Sequence, residues 1–291
     1  MTRHHLLMHL VTLAWGLTAI LGKLITLGPV DLVVWRTLLA ALGFGLLAVV
    51  AGRRLALPRA EALRLLGTGA LLGLHWVLFF ASARLATASV CLAAMPTGIL
   101  WCSLIEPWVD GTRRWRFSEL GVGAVIIGAV WMIYKVEFHH VGGFTVGLAA
   151  AALAALFVIA NKHWAGRAHH LARGAWQMSG ALLVTLGAAF LYAGAPPALP
   201  APQDWLWLAL LSGVCTVGAY AGYMVALGHL SVFTTNVIYN MEPVYGIVLA
   251  MLVLGAEERM SGGFYAGAAI ILACVISVPW LKGRAERVEM A

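Results

Sequence analysis

Charge is what this sequence lacks. Asp, Glu, Lys and Arg together make up 11% of its 291 residues, where water-soluble domains carry about 25%. That leaves too little polar surface to cover a soluble globule and excludes that class. Aspartate occurs only as Asp31, Asp110 and Asp204, each at the edge of an apolar run. An intramembrane hydrolase built on paired aspartates is therefore excluded. Cysteine is equally scarce. Cys91, Cys102, Cys215 and Cys274 all lie inside apolar runs without metal-ligand spacing and read as small apolar side chains. No G-x-x-x-x-G-K-[ST] phosphate loop is present, so ATP is not the direct driver. His139-His140 and His169-His170 are loop doublets without acid partners, and His5 with His9 is a weak metal signal. The residues point to no cofactor, no metal and no enzyme.

What is abundant is apolar. The chain is 62% hydrophobic, gathered into ten continuous runs near 5–25, 31–51, 63–84, 86–108, 117–135, 144–164, 173–193, 204–227, 232–255 and 261–281. Each approaches the ~20 residues a helix needs to cross a bilayer. Continuous rather than alternating hydrophobicity argues against a β-barrel. The expected fold is an all-α integral membrane protein of ten transmembrane helices. The net charge of +7 does not indicate nucleic acid, because of how it is distributed. Alternate loops collect Arg53, Arg54, Arg59 and Arg64, then Arg113, Arg114 and Arg116, then Lys162, Arg167 and Arg173. The intervening loops hold only Lys23, Arg84, Lys135 and Arg259. The positive-inside rule makes the rich side, and with it both termini, cytoplasmic. Met1-Thr2-Arg3 resembles the start of a signal peptide, but no small-x-small cleavage site follows, so the first run is expected to remain as a span.

The chain also repeats itself. Leu17, Ile20 and Lys23 match Leu156, Ile159 and Lys162, and Val34-Trp35-Arg36 parallels Ala175-Trp176-Gln177. Ala81 and Leu85 parallel Ala226 and Leu230. Met95-Pro96 recurs as Met241-Glu242-Pro243, and Gly123 with Ile126-Ile127 as Gly267 with Ile270-Ile271. Five spans per copy turn the second copy upside down. The expectation is a 5+5 inverted repeat with halves at 1–140 and 141–291, an architecture typical of secondary transporters.

Ionisable residues at membrane depth cost at least ~2.5 kcal/mol each and need a reason. Arg36, His75, Glu106, Lys162 and Glu242 qualify. Glu242 precedes Pro243, which cannot donate to the carbonyl of Tyr239, and Pro96 stands at the matching place in the first half. Glu242, Pro243, Pro96 and Lys162 are the candidates for coupling or gating. The plain alternative for the prolines is a packed kink, and for Lys162 an interfacial anchor. Arg36 has two open roles, a carboxylate ligand or a structural anchor, and Gln177 in its place in the repeat favours the anchor. His75 and Phe79 share a face of the third span, and Tyr220 is the repeat partner of His75. With Trp15, Thr18, Met95, Ile99, Trp101, Tyr239 and Asn240 they compose an aromatic, mostly uncharged substrate site. Such a site suits a small amphipathic solute; taken singly, each aromatic is as well explained by packing or lipid contact.

The Trp35-Arg36 pair, Ala81-x-x-x-Leu85, Pro96, Glu242-Pro243 and the run Tyr239–Glu258 resemble the drug/metabolite transporter superfamily of EamA type. Within it the chain is most similar to the YddG-type aromatic amino-acid exporters of bacterial inner membranes. One departure is Glu106-Pro107 followed by Asp110, where the second half has Glu257-Glu258. The resemblance implies a central cavity lined by spans one, three, four, six, eight and nine. It further implies gradient-driven export of aromatic and other neutral amino acids by alternating access. The alternative is a proton-coupled multidrug or organic-cation exporter with Glu242 as proton carrier. Phosphorylated substrates fit poorly, since too few cations lie at midplane for two negative charges. The expected partners are an amino-acid substrate and membrane lipid, with the protein itself a monomer.

Overall fold

The computed structural model describes residues 3–109, 117–164, 168–230 and 232–289; Asp110, Arg113, Arg114, Arg116 and Arg167 lie outside them. Among the described residues every regular element is helical. The chain runs through α1 (Arg3–Leu24), α2 (Pro29–Val50), α3 (Arg59–Leu85), α4 (Ala88–Ala94), α5 (Gly98–Val109), α6 (Phe117–Val136) and α7 (Val141–Trp164). It continues through α8 (His170–Ala193), α9 (Asp204–Ala209), α10 (Ala219–Leu227), α11 (Val232–Tyr239), α12 (Glu242–Leu254) and α13 (Gly262–Glu289). Among the described residues eight helical stretches are long and apolar enough to cross a membrane: 3–24, 29–50, 59–85, 88–109, 141–164, 170–191, 204–227 and 237–258. Residues 121–136 and 262–277 form shorter apolar helices. The protein is a multi-pass membrane protein, and side chains such as Leu46, Val50, Leu191 and Leu252 face outward, where lipid replaces water as the solvent.

Local chemistry sets the helix limits. Pro29 opens α2, where its missing N–H costs nothing. The Thr87 hydroxyl caps α4 by accepting from Val90 N at 3.0 Å. Gly194, at φ +62°, closes α8 with its N–H on the Phe190 carbonyl. Three stretches are interrupted. A 3-10 turn over Met95–Thr97 separates α4 from α5. A π-helical segment over Leu210–Gly218 joins α9 to α10. Residues 240–241 break α11 from α12. Pro243 thus sits in the first turn of α12, and the chain turns before it rather than kinking at it.

Small residues let the helices meet backbone to backbone. A Cβ on Gly69 of α3 would stand 2.0 Å from the Gln177 carbonyl oxygen of α8, and one on Gly180 would stand 2.1 Å from that of Leu66. A Cβ on Gly16 of α1 would stand 2.9 Å from Gly246 N of α12, and one on Gly246 would stand 2.9 Å from the Gly16 carbonyl oxygen. These crossings hold α3 on α8 and α1 on α12. With α2 packed on α8 and α7 on α3, they surround a central space.

Buried polar groups tie the two ends. Where α1 finishes, Lys23 Nζ lies 3.0 Å from Glu258 Oε1. The Glu258 carboxylate is fully buried and accepts the amides of Ala88 (2.9 Å) and Ser89 (2.8 Å) at the start of α4. Arg84 donates to the carbonyls of Gly22 and Ile25, closing the end of α1. Asp204, also fully buried, accepts Thr26 N and Oγ1 at 2.8 and 2.6 Å. At the other end Lys162 Nζ reaches Glu106 Oε1 at 2.6 Å, with the lysine side chain 58% exposed.

Candidate functional site

A cavity of about 310 Å³ occupies the central space, within the roughly 300–1,000 Å³ of small-molecule sites. The helices around it each contribute part of the wall. Trp15 and Thr18 come from α1, Arg36 and Phe44 from α2, and Leu72, His75, Trp76 and Phe79 from α3. Ala154, Phe157 and Val158 come from α7, and Gly174, Gln177 and Met178 from α8. Cys215 and Thr216 of the π segment, Tyr220 and Tyr223 of α10, and Met95, Tyr239 and Glu242 complete it.

One wall is aromatic. The Trp15 ring meets Tyr239 edge-on with centroids 5.5 Å apart and lies tilted by 51° to Tyr223 at 5.6 Å. Tyr220 stands edge-on to Phe44 at 5.5 Å. Such T-shaped contacts are the favoured aromatic geometry and leave ring faces for a guest.

A second wall is polar. The Arg36 guanidinium stacks on the Trp76 ring, 3.7 Å from its centroid, and its Nε donates to Thr216 Oγ1 at 3.1 Å. The Thr216 hydroxyl donates in turn to the Leu211 carbonyl five residues back, at 2.7 Å, a reach set by π-helical spacing. Gln177 Nε2 donates to Thr68 Oγ1 at 3.0 Å and Asn161 Oδ1 at 2.7 Å. Both of its amide hydrogens are thereby spent, and its Oε1 remains an acceptor. His75 Nδ1 is 2.8 Å from the Ala150 carbonyl. A carbonyl only accepts, so Nδ1 carries a proton, and whenever the ring is neutral Nε2 is an acceptor.

Of the residues singled out from sequence, Trp15, Thr18, Arg36, His75, Phe79, Met95, Tyr220, Tyr239 and Glu242 line this one cavity. Ile99, Trp101 and Asn240 are not among its lining residues. Ile99 packs on the apolar core, the Trp101 indole nitrogen is buried without an acceptor, and Asn240 lies in the break between α11 and α12. Pro96 belongs to the 3-10 turn, Pro243 is buried in α12, and Lys162 is held by Glu106 at one end of the molecule. Sequence reasoning missed Trp76, Gln177, Thr216, Tyr223 and Phe157. The repeat offered a signal for Gln177, as the counterpart of Arg36, but nothing in the sequence marks Thr216. Among the described residues no group of three or more His, Cys, Asp or Glu is placed to hold a metal ion.

Fifteen chains of solved structures match this fold. One, titled as a crystal structure of a protein, aligns with a TM-score of 0.67 and 16% identity over 97% of this chain and 98% of that one. At that identity the likeness concerns the fold alone. No curated protein matches. The EamA-like transporter family matches twice, over residues 2–134 and again over 141–278. With nearly the whole length so matched, the chain belongs to the EamA-like transporter family of membrane transporters.

Proposed function

We propose that the protein is a secondary transporter that exports small amphipathic metabolites, first among them aromatic and other neutral amino acids, across the bacterial inner membrane. The observation that carries this reading is the cavity wall: one side aromatic, the other bearing Arg36, His75 and Gln177. The aromatic side suits an apolar side chain, and the acceptors His75 Nε2 and Gln177 Oε1 suit an ammonium group.

Alternating access around an inverted repeat accounts for the rest. Contacts between the two halves come in matched pairs. Arg36 of α2 donates to Thr216, as Gln177 of α8 donates to Thr68. Lys23 pairs with Glu258 at one end, as Lys162 pairs with Glu106 at the other. These pairs, and the two family matches, support ten spans divided at about residue 140 with the halves opposed. The Glu258 end is sealed by buried bonds while Lys162 is largely exposed. With the termini cytoplasmic, that asymmetry suits a cavity that faces inward to load and must break the Glu258 cluster to release.

Counterflow in proteoliposomes tests the reading. Vesicles loaded with unlabelled phenylalanine should take up labelled phenylalanine saturably, and excess tryptophan should abolish uptake. Folded protein that exchanges none of them would sink the amino-acid assignment.

One observation favours a second reading, the proton-coupled exporter of organic cations. Glu242 lies on the cavity wall beside Tyr239, and among the described residues no cation pairs with it within 4 Å. A carboxylate among aromatic rings is also a receptor for cations.

A further inference from the structure

The cavity wall carries a buried cation that, among the described residues, pairs with no anion. Arg36 is 3% exposed and sits on the cavity wall. Its Nε is committed to Thr216, and one face of its guanidinium lies on Trp76. Its Nη1 is buried and has no hydrogen-bond partner. Among the described residues no carboxylate pairs with Arg36, Glu242 included. An arginine with a structural role in a membrane helix places donors on carbonyls or acids, as Arg84 places its Nη2 on the carbonyls of Gly22 and Ile25. Arg36 has no such bond to a carbonyl. It is held in place by Thr216 and Trp76, and its Nη1 has no partner.

We infer that Arg36 is the carboxylate receptor of this cavity, and that the substrates it selects are monocarboxylates with a planar apolar body. The inference rests on the transport reading and narrows its substrate class. A guanidinium fork matches a carboxylate bidentately, and a single fork matches one negative charge, not the two of a phosphate monoester. The π segment supplies the orientation. Because the Thr216 hydroxyl points its proton at Leu211 O, its lone pair faces Arg36 Nε. In the second half the same bond is made by neutral Gln177 to Thr68, whose hydroxyl donates to Leu65 O at 3.0 Å. The two halves thus offer a cationic fork from one side and a neutral acceptor from the other, a pair suited to the two ends of a zwitterion.

The test compares phenylalanine, 3-phenylpropionate (carboxylate without amine) and phenylalaninamide (amine without carboxylate). Each is read by ligand-induced thermal stabilisation of the purified protein and by competition in phenylalanine counterflow. In the wild type both carboxylates should bind at least roughly tenfold more tightly than the amide, the yield of charge-assisted hydrogen bonds. Arg36→Gln should close that gap chiefly by weakening the carboxylates. Arg36→Lys, which keeps the charge but not the fork, should leave an intermediate gap. An amide that binds the wild type as tightly as phenylalanine overturns the inference without recourse to any variant, as does an Arg36→Gln protein that keeps the full gap. Carboxylate-selective binding without counterflow would overturn the transport reading and leave the Arg36 assignment standing.

Discussion

Trp35 and Trp176 make the same hydrogen bond at opposite ends of the molecule. Trp35 Nε1 donates to the Ala198 carbonyl at 2.8 Å, and Trp176 Nε1 donates to the Leu55 carbonyl at 2.8 Å. Each indole reaches a connector more than a hundred residues away in the sequence. Trp35→Phe and Trp176→Phe keep the ring and lose the bond, so each should destabilise by about 0.5–1.5 kcal/mol. The cost should be larger for Trp176, whose bond is the less exposed. The double variant should be additive, since the sites share no partner. Denaturant unfolding in micelles gives all three values, and strong non-additivity would mean that the ends are coupled through the bundle.

The two lysine–glutamate pairs differ in what surrounds them. Removing the Glu258 carboxylate strands Lys23 and two helix amides in a buried setting. Glu258→Ala should therefore cost about 3–5 kcal/mol. Lys162→Met removes a charge that is 58% exposed and should cost less than about 1 kcal/mol. The same unfolding measurement decides; equal costs would contradict the sealed and open assignment of the ends.

Gly69 and Gly67 lie in the same helix and predict opposite outcomes. A methyl on Gly69 meets the Gln177 carbonyl at 2.0 Å, whereas one on Gly67 meets nothing within 4 Å. Gly69→Ala should force α3 off α8 and reduce the yield of folded protein several-fold. Gly67→Ala should be neutral, or stabilising by about 0.5–1 kcal/mol, through lost unfolded-state freedom. Monodisperse yield on size exclusion distinguishes them.

His75 separates positioning from binding. Asn at this place retains a donor near Nδ1 for Ala150 O and lacks the Nε2 acceptor. His75→Asn should fold normally and lower counterflow of phenylalanine roughly tenfold, the worth of one charge-assisted bond. Competition by 3-phenylpropionate, which has no ammonium, should be unchanged. Weakening of both ligands alike would assign His75 to the shape of the wall instead.

Glu242 discriminates between the two functional readings. On the amino-acid reading Glu242→Gln should preserve phenylalanine exchange, whereas on the organic-cation reading it should abolish uphill movement driven by a pH gradient. If phenylalanine exchange is lost and wild-type vesicles instead exchange an aromatic cation, the organic-cation reading replaces the first.

What the sequence determined by itself is what periodicity and composition reach. Eleven per cent charge and long apolar runs leave only membrane helices, since every backbone polar group must be satisfied within its own segment. Repeated residues such as Lys23 and Lys162 are the sequence's own argument for an internal repeat. Trp15, His75, Phe79 and Glu242 were legible as wall residues because helical spacing places them on polar or aromatic faces. The tertiary structure alone decided what those faces meet. Arg36 read as an anchor because its repeat partner is uncharged, and only the packing of α2 on the π segment shows that its Nη1 is left without a partner. Asn240 and Trp101 looked like ligands by composition, but the break before Pro243 and the path of α5 keep both off the cavity wall. A helix period fixes which side chains share a face, and only the crossing of helices distant in sequence fixes which face encloses the cavity.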